Sequence, residues 1–243
     1  MVVFVANQED KEHVLKLRGE RKTTVIIYDL LKEKAELLER VTKVLFDPEY
    51  RSKVSPELLE NGNIEYFKPE YNVVNFAKTF FVNYAIDHNL VEHEQVAWVD
   101  FGYHRGEKFF KGLTRWEFDF TPNKINFFNV MKKKRIPPFN TEEQVFRYMY
   151  ENHVYIVGCI FAGDHKAWRE FNTLLNQSIE ELLSKNIIDD DQGVYMYCML
   201  KRPELFKVRY VGVTWKVDNI ANLYNQNSRG FKIRKALRAL IGK

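Results

Sequence analysis

Apolar and polar positions divide the chain into short β-rich runs and longer segments of helical period. "VVFVA" at 2–6 and "TTVIIYDL" at 23–30 are dense in Val, Ile and Thr, which fit a pleated, half-buried surface, and a polar helix-forming segment separates them. Over 31–45, Leu31, Ala35, Leu38, Val41 and Leu45 recur at helical spacing until "DPEY" stops the run. "NGNIEYFKPEY" reads as a turn, a short strand and a proline stop. The stretch 73–90, "VVNFAKTFFVNYAIDHNL", predicts a helix, and "QVAWVDF" follows as a strand. Strand, helix, strand in that order predicts an α/β chain with a mostly parallel central sheet flanked by helices.

The second half is less regular. "TRWEFDF" and "KINFFNVM" read as strands, and "RIPPFNTEEQVFRYMYE" as a proline-broken loop entering a helix capped at Asn140 or Thr141. "VYIVGCIFAG" reads as a long apolar strand and 165–185 as an amphipathic helix, with "DDDQGVYMYCML" opening another. No linker, repeat or low-complexity tract interrupts the chain, so we assign one domain at 1–227 with a mixed C-terminal half. A basic amphipathic helix at 228–243 follows it. There Ile233, Leu237, Leu240 and Ile241 share one face and six Lys/Arg occupy the rest, a pattern that suits a packed terminal helix and a peripheral membrane contact equally.

Composition narrows the class. Hydrophobic residues are 45% and charged residues 29% of 243, ordinary for a globular chain, while aromatics at 15% are high and serve a core or a sugar or base platform. Net charge is +4, with a second basic run at 132–135 that reads as a solvated face, so nucleic acid is not an expected partner. Cys159 and Cys198 lie in apolar runs without metal-ligand spacing, which predicts buried reduced thiols and a cytoplasmic setting. No run reaches the roughly 20 apolar residues that span a bilayer.

Asp100 ends an apolar strand directly before Phe101 and Gly102. Ligands of open α/β sheets bind beyond the carboxyl ends of strands, so Asp100 is a candidate ligand contact and Gly102 a place where backbone can approach a phosphate or sugar; a simple turn is the competing reading. Asp-Phe-Gly also occurs in protein kinases, but the rest of the kinase set is missing, as are Walker A, GxGxxG, GxSxG and HExxH patterns. "IFAGD" reads as a strand passing through a small-residue turn at Ala162-Gly163 into a helix, presenting backbone N–H groups. Asp189, Asp190, Asp191 and Gln192 stand at the next helix entrance; capping explains one or two of these acids, and three exceed it.

"PEYNVVNFAKTFFVNYAI", "WVDFGY", "IFAGD" and "DDDQ", in this order and spacing, resemble the HtrL/YibB (WlaTC/HtrL) family of bacterial glycosyltransferase-like proteins found with lipopolysaccharide and capsule genes. The resemblance covers roughly Met1 to residue 215, with "WVDFGY" its most specific piece. It implies a GT-A-like fold and a nucleotide-sugar transferase, probing a UDP-sugar donor first and a glycan or glycolipid acceptor, at the cytoplasmic face of the membrane. It further implies Asp100 as ligand to Mn2+ or Mg2+ and to the donor ribose, Gly163 as a sugar-lining turn, and Asp190, Asp191 and Gln192 as the catalytic cluster. Asn75, Lys78 and Gly102 are the further donor contacts. Asp-Phe-Gly lacks the second aspartate of a DxD motif, so His153, His165 or Asp119 is needed as an additional metal ligand. Trp98, Tyr103, Trp116 and Trp168 are candidate stacking platforms, and Arg105 and Lys108 candidate phosphate contacts. Family members begin with an additional strand ahead of the equivalent of Met1 that contributes to the nucleotide pocket. That difference keeps a second reading in view, a non-catalytic GT-A-like protein binding a glycan or partner in surface-polysaccharide assembly.

Overall fold

A computed structural model describes residues 1–103, 120–129 and 140–210, with Ile233 and Ala236 beyond them. Arg105, Lys108, Trp116, Asp119, the basic run at 132–135 and nearly all of the strand expected at 114–120 lie outside the described residues. So does the helix expected at 228–243, of which only Ile233 and Ala236 are described, both helical and exposed.

β1 (Val2–Val5) and β2 (Thr24–Ile27) pair in parallel across α1 (Gln8–Arg18), which Asn7 caps by accepting from the Asp10 amide. The periodic run that follows is two helices, α2 (Leu30–Glu33) and α3 (Ala35–Leu45), broken at Lys34. "DPEY" does more than stop a helix. The Asp47 carboxylate accepts from the amides of Glu49 and Tyr50 and Pro48 takes the first helical position, so the stretch starts α4 (Pro48–Lys53). α5 (Pro56–Glu60) and a 3-10 turn at Ile64–Tyr66 come next, where a strand was expected.

α6 (Pro69–Asp87) begins four residues before the expected start because Pro69 opens it. Both flanks of this helix are covered, by α3 and α8, and so its buried face carries polar residues, namely Asn72, Asn75, Lys78, Thr79 and Asn83. Inside a protein such groups must find partners. The Asn72 amide donates to the Glu65 carbonyl, Thr79 to the Asn172 side chain, and Asn83 to the carbonyls of Thr79 and Trp168.

The larger sheet has the order β3 (Gln95–Val99), β5 (Ile160–Asp164), β4 (Ile125–Asn129), β6 (Phe206–Tyr210). β5 runs against both neighbours and only β4 and β6 pair in parallel, so this sheet is mixed and not mostly parallel. Every residue of β4 and β5 is buried, and a strand covered on both faces lacks the alternation that would orient it. α7 (Glu142–Tyr150) is capped by Thr141, with Gln144 reaching back to the Asn140 amide. α8 (His165–Ser184) and α9 (Asp191–Lys201) complete the described fold. Trp168, Phe171, Phe127, Phe161, Tyr195 and Phe206 interlock between the larger sheet and α8 and α9. The two sheets are joined through α6, where the Phe81 ring stacks at 4.5 Å on Phe4 of β1 and at 6.3 Å on Trp98 of β3.

Candidate functional site

Asp100 leaves β3 at its carboxyl end, and the antiparallel register of β3 and β5 decides what it meets. Val99 pairs with Ile160, so the residues before β5, Gly158 and Cys159, lie beside Asp100, whose amide donates to the Cys159 carbonyl at 2.9 Å. Trp98 and Asp100 are two apart on a strand and share a face. The Trp98 indole N–H donates to the Asp100 carboxylate at 2.5 Å, and the ring lies on Phe81. Phe81 and Lys78 are three apart on α6 and share a face as well. The Lys78 ammonium therefore reaches the same carboxylate, 3.4 Å from both of its oxygens.

Lys78 has two closer partners. Its Nζ is 2.5 Å from the Asp191 carboxylate and 3.1 Å from the Gly158 carbonyl. Side-chain exposure is 5% for Lys78, 4% for Asp191 and 33% for Asp100, so only Asp100 of the three opens to solvent. Burial pulls the Lys78 pKa down, but Asp191 and Asp100 outweigh it and hold the ammonium above its ordinary value. Gly158 closes the arrangement. A Cβ there would stand 2.6 Å and 2.9 Å from the two Asp191 oxygens, so this position has no room for a side chain.

The other acids surround this triad. Asp190 caps α9, accepting from the Gln192 amide at 2.8 Å, which accounts for one acid by the capping rule. Asp189 lies across Gly193, and among the described residues its Oδ1 has no hydrogen-bond partner, as is true of the buried Gln192 Oε1 and Tyr195 hydroxyl. Burial first, and then neighbouring carboxylates, push Asp189 and Asp190 well above the usual carboxylate range. Glu65, which the sequence reading missed, is half-buried at the rim. It accepts from the Asn152 amide at 2.7 Å, and burial together with the Asp191 charge raises its pKa from 4.5 to about 7. Its only signal in the sequence was an acid inside an otherwise apolar turn, "NIEYF".

Raised carboxyl pKa values have a defined stability signature. A carboxyl whose folded pKa exceeds its unfolded one contributes stability that is complete below the unfolded value and lost as pH rises through the folded one. For Glu65 that window runs from 4.5 to about 7. Glu65→Gln is therefore expected to stabilise the protein at pH 8 by about 1–2 kcal/mol, a figure reduced for the partial exposure of this residue, with no gain below pH 4.5. Urea unfolding at the two pH values checks this. An equal effect at both would assign the change to lost packing.

The structure brings Asp100, Lys78, Asp190, Asp191 and Gln192 together, and Asn75 stands one turn before Lys78 on the same helix face. Lys78 is buried among carboxylates and does not reach the surface. Asp190 and Asp191 are also buried, at 4% and 3% exposure. Gly163 is elsewhere. It pairs with Val96 inside β5, its missing Cβ makes room for Ile125, and no turn occurs before Asp164 caps α8. Being five residues along the strand from Gly158, it lies roughly 16 Å from the Asp100 end of the sheet. His165 is at that far end too, with its ring on the His93 carbonyl. His153 is held by Glu151 at 2.8 Å. Trp168 is fully buried with its indole N–H on the Val96 carbonyl, and Tyr103 is buried, so neither offers a free face. Gly102 is exposed in a 3-10 turn, with no described residue within 4 Å of where a Cβ would be. Both cysteines are free thiols, and burial pushes each up to about 12, which leaves them unreactive.

A divalent cation does not fit these residues as they stand. Both Asp100 oxygens face an N–H donor, Asp191 faces an ammonium, and among the described residues no three His, Cys, Asp or Glu side chains are grouped to hold a metal ion.

Comparison with known proteins gives the family. Residues 1–218 match the family model "Bacterial protein of unknown function (HtrL_YibB)". The chain is 35% identical over 243 residues to Protein HtrL of Escherichia coli (strain K12), covering all of this chain and 82% of that protein. The chain belongs to the HtrL/YibB family. No solved structure matches it. For this family member, then, the description of the matching model leaves function open, and the site geometry is what bears on it. Among the described residues no helix is long and apolar enough to cross a membrane.

Proposed function

We propose that this HtrL/YibB member is a GT-A-like nucleotide-sugar transferase that glycosylates a glycan or glycolipid precursor of the bacterial surface, with a UDP-sugar as the first donor to test. The observation that carries the reading is the half-exposed Asp100 at the carboxyl end of β3, held at a strand-end site by Trp98 and Lys78 with Glu65 on the rim of the same acidic cluster. Transfer forms a bond from the acceptor hydroxyl oxygen to the anomeric carbon and breaks the bond to the departing nucleotide diphosphate. The acceptor proton needs a base, and positive charge develops on the sugar. In this reading Asp100 accepts hydroxyl hydrogens of the donor and Glu65, whose pKa lies near working pH, takes the acceptor proton. Asp191 and Asp190 act from beneath by their charge and dipole. Arg105 and Lys108, just past Asp100 in the sequence, are the candidate contacts for the diphosphate.

The alternative, a binding protein without turnover, draws support from Asp189, Asp190 and Asp191 being buried and committed to capping and to Lys78. A thermal-shift and calorimetric screen against UDP, GDP and CMP and their sugars separates these readings. A ligand at a hundred times its dissociation constant stabilises by about 2.7 kcal/mol, so a millimolar screen detects weak sites. Stabilisation by one nucleotide, lost in Asp100→Asn, supports the transferase; no response from folded protein removes it. Gly102→Ala should leave the unfolding midpoint unchanged, since no described residue lies within 4 Å of its missing Cβ, while weakening that nucleotide at least about tenfold.

A further inference from the structure

We infer that Lys78 is the resident cation of this site, occupying the position between Asp100, Asp191 and the Gly158 carbonyl that a divalent ion would otherwise take. The resemblance of the sequence to metal-dependent transferases leads to an aspartate-bound Mn2+ or Mg2+, and the described residues do not accommodate one. Three oxygen donors from β3, α9 and the segment before β5 converge on one point, which is the ligand type hard cations prefer. The point is filled by a covalently tethered ammonium 2.5 Å, 3.1 Å and 3.4 Å from them. Lys78 comes from the middle of α6, whose two flanks are packed, and its side chain is 5% exposed, so it cannot swing aside without opening the core. Trp98 reinforces the arrangement by placing a second N–H on Asp100. The buried Tyr195 hydroxyl has no hydrogen-bond partner among the described residues, and the same two carboxylates are among the charges acting on it. Lys78 is thereby a positioning residue. It fixes Asp100 for its ligand and makes the site independent of metal.

The inference does not rest on transferase activity, and its test reads the metal directly. Mn2+ is titrated into wild-type protein, Lys78→Ala and Lys78→Ala/Asp100→Asn by calorimetry, with free Mn2+ followed by electron paramagnetic resonance. Wild-type protein is expected to show no Mn2+ binding that depends on Asp100. Lys78→Ala removes the competing charge and leaves space for a hydrated ion, so it should bind one Mn2+ at least about a hundredfold more tightly, and the added Asp100→Asn change should abolish this. If Lys78→Ala does not fold, Lys78→Ser, which also removes the charge and leaves the space, is read the same way. Mn2+ binding by wild-type protein that Asp100→Asn alone removes would overturn the inference, as would a folded Lys78 variant that gains no Mn2+ affinity. A purely structural lysine would lower stability when replaced but would not create a metal site. Failure of the nucleotide screen leaves this result unaffected, so the two proposals fail separately.

Discussion

Gly193→Ala is expected to lower the unfolding midpoint by about 6–12 °C, the reverse of what the change does in an ordinary helix. Glycine inside a helix normally costs about 1 kcal/mol relative to alanine. Gly193 sits in the first turns of α9 with the Asp189 side chain lying across it, and a Cβ would overlap that carboxylate and stand 2.7 Å from Met149 Cγ. Asp189 is 5% exposed and has nowhere to retreat. Forcing a methyl into such packing costs about 3 kcal/mol, which in a chain of this length shifts the midpoint by the stated amount. A double variant, Asp189→Ala/Gly193→Ala, removes the main obstacle and should recover more than half of the loss. Additive losses in the double variant would show that the conflict is with the backbone or Met149 and not with the acid.

Asp191→Ala should be as damaging, for an electrostatic reason. It strips the 2.5 Å partner from an ammonium that is 5% exposed, and breaking a buried pair costs about 3–5 kcal/mol because a charge remains uncompensated. Asp100, at 3.4 Å and part exposed, compensates only weakly. The pH dependence identifies the cause. Without Asp191, burial dominates and pulls the folded pKa of Lys78 below 10.5, so the variant binds fewer protons folded than unfolded. Relative to wild type its stability should then rise with pH towards 10, since the raised carboxyls of Glu65, Asp189 and Asp190 are common to both. Chemical denaturation from pH 6 to pH 9.5 distinguishes the two slopes. Lys78→Met/Asp191→Asn should be less destabilised than the sum of its single changes, since neither charge is left alone.

Much of this architecture was legible because local chemistry agreed with the packing. Thr141, Asp164 and Asp190 cap the helices they precede, and α8 has the period of a helix with one buried face. The place of Asp100 at the end of an apolar strand was legible, although spacing alone suits a simple turn as well as a ligand contact. Strand direction was not, because β5 is buried on both faces and carries no alternation to orient it. The antiparallel course of β5 puts Gly163 and His165 at the end of the sheet away from Asp100 and brings Gly158 beside it, which no pattern in the sequence signals. Lys78 was singled out, but its role was not legible. A lysine in a helical repeat looks solvated until the second covering layer is known, and α6 has one on each flank. Glu65 escaped because a 3-10 turn leaves no periodic trace, and "NIEYF" imitates a strand.

The contact of Gly158 with Asp191 has a consequence for how sequences of this family can diverge. Gly158 is bare because a carboxylate occupies the space of its side chain; the carboxylate is there because an ammonium draws it in; and the ammonium is anchored by the Gly158 carbonyl. Each position is the reason for the other two. Changing any one of them alone should cost stability through the other two, and exchange of all three for an apolar set would release Asp100 from its fixed position. Lys78, Gly158 and Asp191 should therefore behave as one inherited character, replaced together or kept together.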